Sequence, residues 1–320
     1  MSVFNQRKNV DVVEAASAER DLINDKPSSQ WRLTLRRFRG RKSGMIGLTI
    51  VSLLVLMAVF APILAPYGPN EVLIGKEDVG PRDPPCVHAL GCSEELPQHV
   101  MGTDGNVRDE FSRVIYGARV SLTLGFFTVT IALLVGSALG AIAGFTGGWL
   151  DNVIMRIMDV VLGFPSLLLA IAIVAVLGPG LRNALIAIAI VTMPGYARVM
   201  RAQVLSIKES DYVSASRALG ASSTQLLIRR VIPNALTPLV VLATLGVATA
   251  ILEAAGLSFL GLGAQPPMAE WGSMLASERN QLFTAPHLVF FPGFAIMDTV
   301  LGFNLIGDGL RDALDPTLNR

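Results

Sequence analysis

MIGLTIVSLLVLMAVFAPILA, residues 45–65, is a run of 21 side chains that contains no charge. At about 1.5 Å per helical residue the run reaches about 31 Å, enough to cross a hydrocarbon core of roughly 30 Å. Five further runs follow at 120–148, 162–181, 183–197, 231–252 and 286–307, and only Asp298 interrupts the last. The sequence therefore predicts an all-α polytopic membrane protein with six transmembrane helices.

The composition and the distribution of charge support this class. Hydrophobic residues fill 52% of the 320 positions and charged residues only 16%, whereas soluble domains carry about a quarter charged residues. Residues 1–44 hold ten Lys or Arg against five acids, while residues 67–118 hold four against nine. Because basic flanks stay in the cytoplasm, we expect the N-terminus inside, residues 67–118 outside and the C-terminus inside.

These spans predict the division of the chain. A cytoplasmic N-terminal segment (1–44) precedes the first transmembrane helix (45–66) and an extracytoplasmic loop (67–118). A five-helix core (119–310) and a cytoplasmic tail (311–320) follow. The cytoplasmic loop within the core is expected at 209–231.

A basic stretch precedes the first span. QWRLTLRRFRGRKS, residues 30–43, mixes apolar and basic side chains, which predicts an amphipathic helix on the inner leaflet in contact with membrane lipids. The side chains that face lipid in this arrangement are Trp31, Leu33, Leu35 and Phe38. The alternative is a solvated basic linker.

The two cysteines, Cys86 and Cys92, both lie in the acidic outer loop. In an oxidising compartment the five residues between them allow a small disulfide loop. Free thiols are one alternative. A metal site that includes His88 is another, although the spacing matches no common zinc pattern. None of these interpretations makes the pair catalytic.

Sequence signatures of an enzyme are absent. The chain has no G-x-x-x-x-G-K-[ST] phosphate loop, no H-E-x-x-H, no G-x-S-x-G and no dinucleotide-binding fingerprint. We therefore expect no catalytic residue, no metal site, no cofactor in this chain and no nucleic-acid partner. The energy for moving a solute must come from an ion gradient or from another subunit.

The cytoplasmic loop, DYVSASRALGASSTQLLIRRVIPN at 211–234, is polar and rich in small residues. A helix that begins at Tyr212 has Ser210 or Asp211 available as its N-cap. Gly220 favours the left-handed conformation that ends such a helix. At about 12 Å the helix has little intrinsic stability.

A second short helix follows in this loop. Ser222 and Gln225 have the spacing of a capping box, and Pro233 suits the start of the next span. The small side chains of the first helix let its backbone come close to another protein. Docking into a cleft of a partner is therefore one interpretation, and a helix that lies on the membrane surface is the other.

The loop resembles the EAA loop of permeases of ATP-binding-cassette transporters, E-A-A-x-x-x-G followed nine residues later by I-x-L-P. Ala215, Gly220 and Pro233 match this pattern, while Ser214 replaces the Glu and Ser216 replaces the second Ala.

Four longer stretches between Leu33 and Pro316 resemble the C-type permease subunit of dipeptide and oligopeptide importers, in the family's order. They are LTLRRFRGRKSGMIGLTIVSLLVLMAVFAPILAPYGPNE, HVMGTDGNVRDEFSRVIYGARVSLTLG, AILEAAGLSFLGLGAQPPMAEWGSML and FNLIGDGLRDALDP. Val107 departs from the family's G-T-D-x-x-G-R-D, which has Gly there. The resemblance implies the type I importer permease (MetI-like) fold.

The resemblance also implies that this chain forms half of a peptide pathway in a bacterial inner membrane. The implied partners are a homologous second permease, two cytoplasmic ATPase subunits that bind ATP and Mg²⁺, and an extracytoplasmic peptide-binding protein. The helix at 211–221 would be a coupling helix seated in an ATPase groove. Its expected contact residues are Tyr212, Ser214, Ala215, Arg217, Ala218, Gly220 and Ala221.

Two acids are candidates for the translocation path. Asp298 lies in the sixth span, where it either attracts a substrate ammonium or pairs within the bundle. Glu253 matches the family's E-A-x-L-S-F-L-G-L-G stretch near the outer end of the fifth span. It either contacts the substrate or has a structural role that supports a gate. Elsewhere, Arg156 and Asp159 are predicted to pair on one helix face.

Residues 256–275 are expected to form a re-entrant or surface loop with Trp271 at the membrane interface. This loop either contacts the binding protein or packs as a lid on the permease itself. Rival functions are a related importer permease for nickel chelates or glutathione, an ion-coupled transporter or channel, and a membrane scaffold without a transport role.

Overall fold

The computed structural model describes residues 30–314. In this part of the chain the regular structure is helical, and the segments between the helices contain only turns and isolated β-bridges. The main helices are α1 (Gln30–Arg39), α2 (Lys42–Val59), α3 (Glu110–Thr146), α4 (Gly148–Leu162), α5 (Ser166–Leu177), α6 (Leu181–Lys208), α7 (Asp211–Ala218), α8 (Ser223–Phe259), α9 (Trp271–Glu278) and α10 (His287–Leu314). We call the side with residues 67–109 the outer face and the opposite side the inner face, following the orientation that the charge pattern predicts.

Five of these helices are long and apolar enough to cross a membrane, namely α2, α3, α6, α8 and α10. A sixth span is formed only if α4 and α5 are taken together, and these two helices meet at 93°. The third span, predicted at 162–181, therefore begins earlier, at Gly148, and consists of two helices with a bend between them. The break falls at Gly163–Pro165, because Pro165 has no N–H to continue the helical ladder.

Several helices extend beyond their predicted ends. α3 begins at Glu110, inside the predicted outer loop, because the Asp109 carboxylate accepts a hydrogen bond from the Ser112 N–H at 2.7 Å and caps the helix. α6 runs to Lys208, and α10 continues to Leu314 in the predicted tail. Residues 1–29 and 315–320 of the predicted terminal segments lie outside the described residues.

A ladder of glycines joins α3 to α6. Gly136, Gly140 and Gly144, spaced four residues apart, lie against residues of α6 that are also spaced by four. A Cβ on Gly136 would lie 2.5 Å from the Met193 carbonyl oxygen, and one on Gly140 would overlap the Ala197 carbonyl. Such small-xxx-small patterns allow two helix backbones to approach closely within lipid.

Glycines also pack α2 and α1 against α10. A Cβ on Gly47 would lie 2.6 Å from the Gly302 carbonyl oxygen, and one on Gly309 would lie 2.6 Å from the Gly44 Cα. The ring of Phe38 fills the slot beside Gly44 and Gly309 and is buried. The prediction that Phe38 faces lipid was therefore wrong, since the two glycines leave a site for its ring in the bundle. The predicted Trp31 and Leu33 side chains lie outside the described part.

The outer face carries a cap formed by residues 67–109 and α9. A disulfide joins Cys86 to Cys92 within it. Trp271 is fully buried, and its indole N–H donates to the Val114 carbonyl of α3 at 3.0 Å. A membrane-interface position for Trp271 was therefore wrong, because Gly117 leaves room for the indole on α3. Residues 271–278 thus pack as a lid on the permease itself.

Buried charges in the cap are paired. The His99 ring lies between two carboxylates, with Nδ1 2.8 Å from Asp109 and Nε2 3.0 Å from Glu77. Its hydrogen bond to Asp109 raises the His99 pKa above the usual value, and burial opposes this shift. Arg82 donates to Glu278 of α9 at 2.8 Å and thereby ties the loop to the lid.

We expect Gly140→Ala to destabilise the bundle by about 1–3 kcal/mol, because the added methyl overlaps the Ala197 backbone. Gly195→Ala in α6 is the matched control, since a Cβ there meets no described atom within 4 Å. It should be neutral or stabilise by up to about 1 kcal/mol. Thermal unfolding of the purified protein in detergent checks both, and equal stability of the two variants would contradict the close approach.

The cap should lose stability as the pH rises. Because the native pKa of His99 is raised, its contribution is complete below about pH 6.5 and is lost as the pH passes through the native pKa. Hydrogen exchange of residues 86–109, corrected for intrinsic rates, should therefore quicken at high pH in the native chain. His99→Gln should remove this dependence, whereas the control His88→Gln should keep it. A retained dependence in His99→Gln would argue against the assignment.

Candidate functional site

The short helix α7 projects from the inner end of α6 and is anchored by one apolar side chain. Val213 is fully buried and belongs to the main hydrophobic core. Ser210 stands at the N-cap position, but its hydroxyl donates to the Ile207 carbonyl at 2.6 Å and does not cap α7. The predicted side-chain cap was therefore wrong, because the preceding helix end takes the hydroxyl. α7 begins at Asp211, one residue before the prediction.

The remaining side chains of α7 face outward. Leu219, directly after the helix, is 89% exposed, and Tyr212 is 45% exposed. Leu219 and Tyr212 therefore give the outward side of α7 an apolar contact surface. Of the predicted contact residues, the structure leaves these exposed: Tyr212, Ser214, Ala215, Arg217, Ala218 and Gly220. The seventh, Ala221, packs partly against the core.

The chain leaves α7 through a tight turn. Gly220 has φ +87°, a left-handed conformation that side chains rarely adopt, as its position after the helix predicts. Ser222 then caps α8 by accepting a hydrogen bond from the Gln225 N–H at 3.3 Å. A π-helical turn at Leu227–Val231 precedes Pro233, which occupies the first turn of the α-helix that follows it. Residues 223–231 of the predicted loop are therefore part of the fifth spanning helix.

Two further contacts hold α7 and the neighbouring helices. The Asn234 amide of α8 donates to the Tyr212 hydroxyl at 3.3 Å. The guanidinium of Arg201 in α6 makes two hydrogen bonds, of 2.6 and 2.7 Å, to the Asp151 carboxylate in α4. α7 is thus attached to both flanking spans, and α6 is attached to α4 by a bidentate ion pair.

Asp159 of α4 has a different partner from the one predicted. Its carboxylate lies 2.6 Å from the Arg198 guanidinium of α6, so the predicted pairing with Arg156 was wrong. Two ion pairs therefore join α4 to α6, since Arg201 of α6 also pairs with Asp151 of α4.

The two candidate path acids lie on different helices. Asp298 of α10 is exposed and has no hydrogen-bond or ion-pair partner among residues 30–314. An acid that faces lipid at a helix centre costs about 2.5–3.5 kcal/mol. Glu253 of α8 is half-buried, and its Oε1 accepts a hydrogen bond from Ser166 at the start of α5 at 2.8 Å. Its Oε2 is buried without a partner in the described part of the chain.

Sequence reasoning missed three features of this region. Val213 is the one branched aliphatic side chain in α7, which was a usable signal for an anchor. Leu219 stands beside the turn glycine, and no local pattern marks it as exposed. The four-residue spacing of the α3 glycines was visible in the sequence, but their partners on α6 were not.

Comparison with known proteins places this architecture in a family. The family model of the binding-protein-dependent transport system inner membrane component matches residues 136–320. The model of the N-terminal transmembrane domain of oligopeptide transport permease C matches residues 29–85.

Individual relatives cover almost the whole chain. A dipeptide transport system permease protein of Alkalihalophilus pseudofirmus is 49% identical, with 91% of each chain covered. A di/tripeptide transport system permease protein of Pseudomonas aeruginosa is 48% identical over 88% of this chain and 90% of the relative. A glutathione transport system permease protein of Escherichia coli is 42% identical, with 99% of each covered.

Among solved structures, the inward-facing MetNI methionine ABC transporter shares the fold, with a TM-score of 0.53 and 19% identity. The match covers 63% of this chain and 97% of that chain, which confirms the predicted permease fold. The chain therefore belongs to the family of binding-protein-dependent transport system inner membrane components, as a multi-pass permease subunit without an ATPase site of its own.

Proposed function

We propose that this chain is the membrane-spanning subunit of an ATP-driven importer of short peptides. Relatives at 48–49% identity are named dipeptide and di/tripeptide permeases. One observation carries the mechanism. α7 is fixed to the bundle by buried Val213, yet it presents Leu219 to solvent on the inner face. A helix of this kind suits a groove on a cytoplasmic ATPase that binds ATP and Mg²⁺.

The contacts around α7 support transmission of motion into the membrane. α7 continues directly from α6 and touches α8 through Tyr212 and Asn234. α6 in turn carries α4 through Arg201 and Asp151 and packs on α3 through the glycine ladder. When the ATPases close, a shift of α7 would move α6, α3 and α4 together, which is how such subunits alternate between inward- and outward-facing states.

The remaining partners follow from the orientation. With the basic N-terminal segment in the cytoplasm, the cap of residues 67–109 and α9 faces outside, where a peptide-binding protein delivers substrate. The half-buried Glu253 accepts a hydrogen bond from Ser166 and so supports the bend between α4 and α5, in keeping with a gate-supporting role. A homologous second permease completes the path. Both termini of the chain then lie in the cytoplasm.

Glutathione is a second candidate substrate, because glutathione permeases match 99% of the chain at 42% identity. Glutathione is itself a tripeptide, so both candidates require a path for a short peptide backbone. The binding protein that associates with this permease selects between them.

We expect the complete transporter, with both permeases, the ATPases and the binding protein in liposomes, to take up labelled dipeptides only with ATP. Labelled glutathione and longer peptides are the competing substrates, and a non-hydrolysable ATP analogue is the control. Uptake that is driven by an ion gradient in the absence of ATP would overturn the proposal.

Leu219→Asp should weaken ATPase binding about 10–100-fold, since one buried Leu contributes about 1.5–3 kcal/mol. The residue is exposed, so the fold should be unaffected. Thr224→Asp, on the neighbouring exposed turn, is the matched control and should keep full binding. Co-purification and titration of the ATPase against the detergent-solubilised permease measure the difference. Unchanged affinity in Leu219→Asp would exclude α7 as the docking element.

A further inference from the structure

A groove of about 430 Å³ opens between α2, α3 and α10. Arg119, Thr123 and Phe126 line it at spacings of four and three residues, so they share one side of α3, and Phe127 lies beside them. The Phe126 and Phe127 rings meet edge to face with centroids 5.9 Å apart, and both side chains are more than half exposed. The α3 side of the groove is therefore charged at one end and aromatic at the other.

The charged end of the groove lies at the outer boundary of the membrane. Arg119 directly precedes the uncharged run at 120–148, and Val59, the last residue of α2, lines the groove with it. Phe126 lies seven residues further inward along α3, or about 10 Å, and Phe303 of α10 contributes a third aromatic ring. The groove thus has the polarity of a membrane lipid, with its charge at the surface and its apolar part below.

Arg119 has no anionic partner within the described chain. Its side chain is exposed and makes no hydrogen bond or ion pair with any of residues 30–314. An arginine at the membrane boundary directs its charged head toward the headgroup layer while its stem covers apolar surface. The anions of that layer are lipid phosphates, which a guanidinium binds through paired hydrogen bonds.

The surroundings of the groove also favour a lipid. Leu53, Leu56 and Phe60, on the neighbouring side of α2, are 62%, 49% and 45% exposed, so the groove opens onto an apolar surface. Arg119 and Thr123 are the only polar side chains among those that line the groove. An extended peptide segment would leave its backbone groups without partners there, whereas an acyl chain has none to satisfy.

We propose that this groove binds an anionic phospholipid of the outer leaflet, with its phosphate on Arg119 and an acyl chain along Phe126, Phe127 and Phe303. The lipid fills the space between α2 and α3. A net negative headgroup is preferred, because the positive headgroup of a zwitterionic lipid offsets part of the attraction to the guanidinium. The inference goes beyond the proposed function and does not depend on which solute is transported.

The test uses the complete transporter in phosphatidylcholine vesicles, with Phe127→Trp as a fluorescent reporter in the groove. Brominated phosphatidylglycerol or brominated phosphatidylcholine is added in parallel series, since bromine quenches a tryptophan that it touches. The signal of the transporter without the reporter is subtracted, because this chain has three native tryptophans. We expect brominated phosphatidylglycerol to bind about 5-fold more tightly, the factor that one Arg near an anionic lipid contributes.

Three variants in the reporter chain identify the source of this preference. Arg119→Gln should abolish it, whereas Arg119→Lys keeps the charge and should retain most of it. Arg182→Gln is the matched control and should keep the preference, because Arg182 is exposed at the outer end of α6 and does not line this groove.

Four results would each refute the inference. They are equal quenching by the two lipids with Arg119 in place, an unchanged preference in Arg119→Gln, a loss of preference in Arg119→Lys, and an equal loss of preference in Arg182→Gln. Absence of quenching by either lipid would mean that the second permease covers the groove, which refutes it as well. None of these measurements involves uptake, so they are separate from the test of the proposed function.

Discussion

The close approach of α3 and α6 is the contact on which the rest of the bundle depends. Lipid offers no hydrophobic force that would press two apolar helices together, so the contact relies on backbone packing at Gly136, Gly140 and Gly144. α6 also carries α7 at its inner end and holds α4 through Arg201. A side chain larger than hydrogen in the ladder would therefore disturb the inner-face helix as well as the core.

The two ends of the molecule use polar groups differently. At the outer end, His99, Asp109, Arg82 and Glu278 are paired across the cap and fix it to α3 and α9. Paired polar groups of this kind favour one conformation, whereas Glu110 at the start of α3 is buried with its Oε1 unpaired among the described residues. At the inner end, α7 has one buried anchor and an exposed contact face. This contrast suits the proposed arrangement, in which the rigid outer cap faces the binding protein and α7 docks on the ATPases.

Much of the site could be predicted because it depends on local backbone chemistry. The left-handed glycine at 220, the capping serine at 222 and the early proline at 233 act within one turn of the chain, and the structure has all three. Predictions that needed a distant partner were wrong. Phe38 turns inward because glycines from α2 and α10 leave space for its ring, and Asp159 meets Arg198 because α4 packs against α6.

The sequence by itself determined that this protein has about six apolar segments of membrane-spanning character and that a short helix ending at a glycine interrupts the core, and its charge asymmetry predicts an orientation. Periodicity, charge and capping depend on residues that lie close together in the chain, so they can be identified from the sequence alone. Only the tertiary structure decided that the third span bends by 93°, that the glycines of α3 match α6, and that Leu219 and Asp298 lack partners within the described chain. Exposure of a side chain depends on which helices pack beside it, and that depends on contacts between residues far apart in the chain.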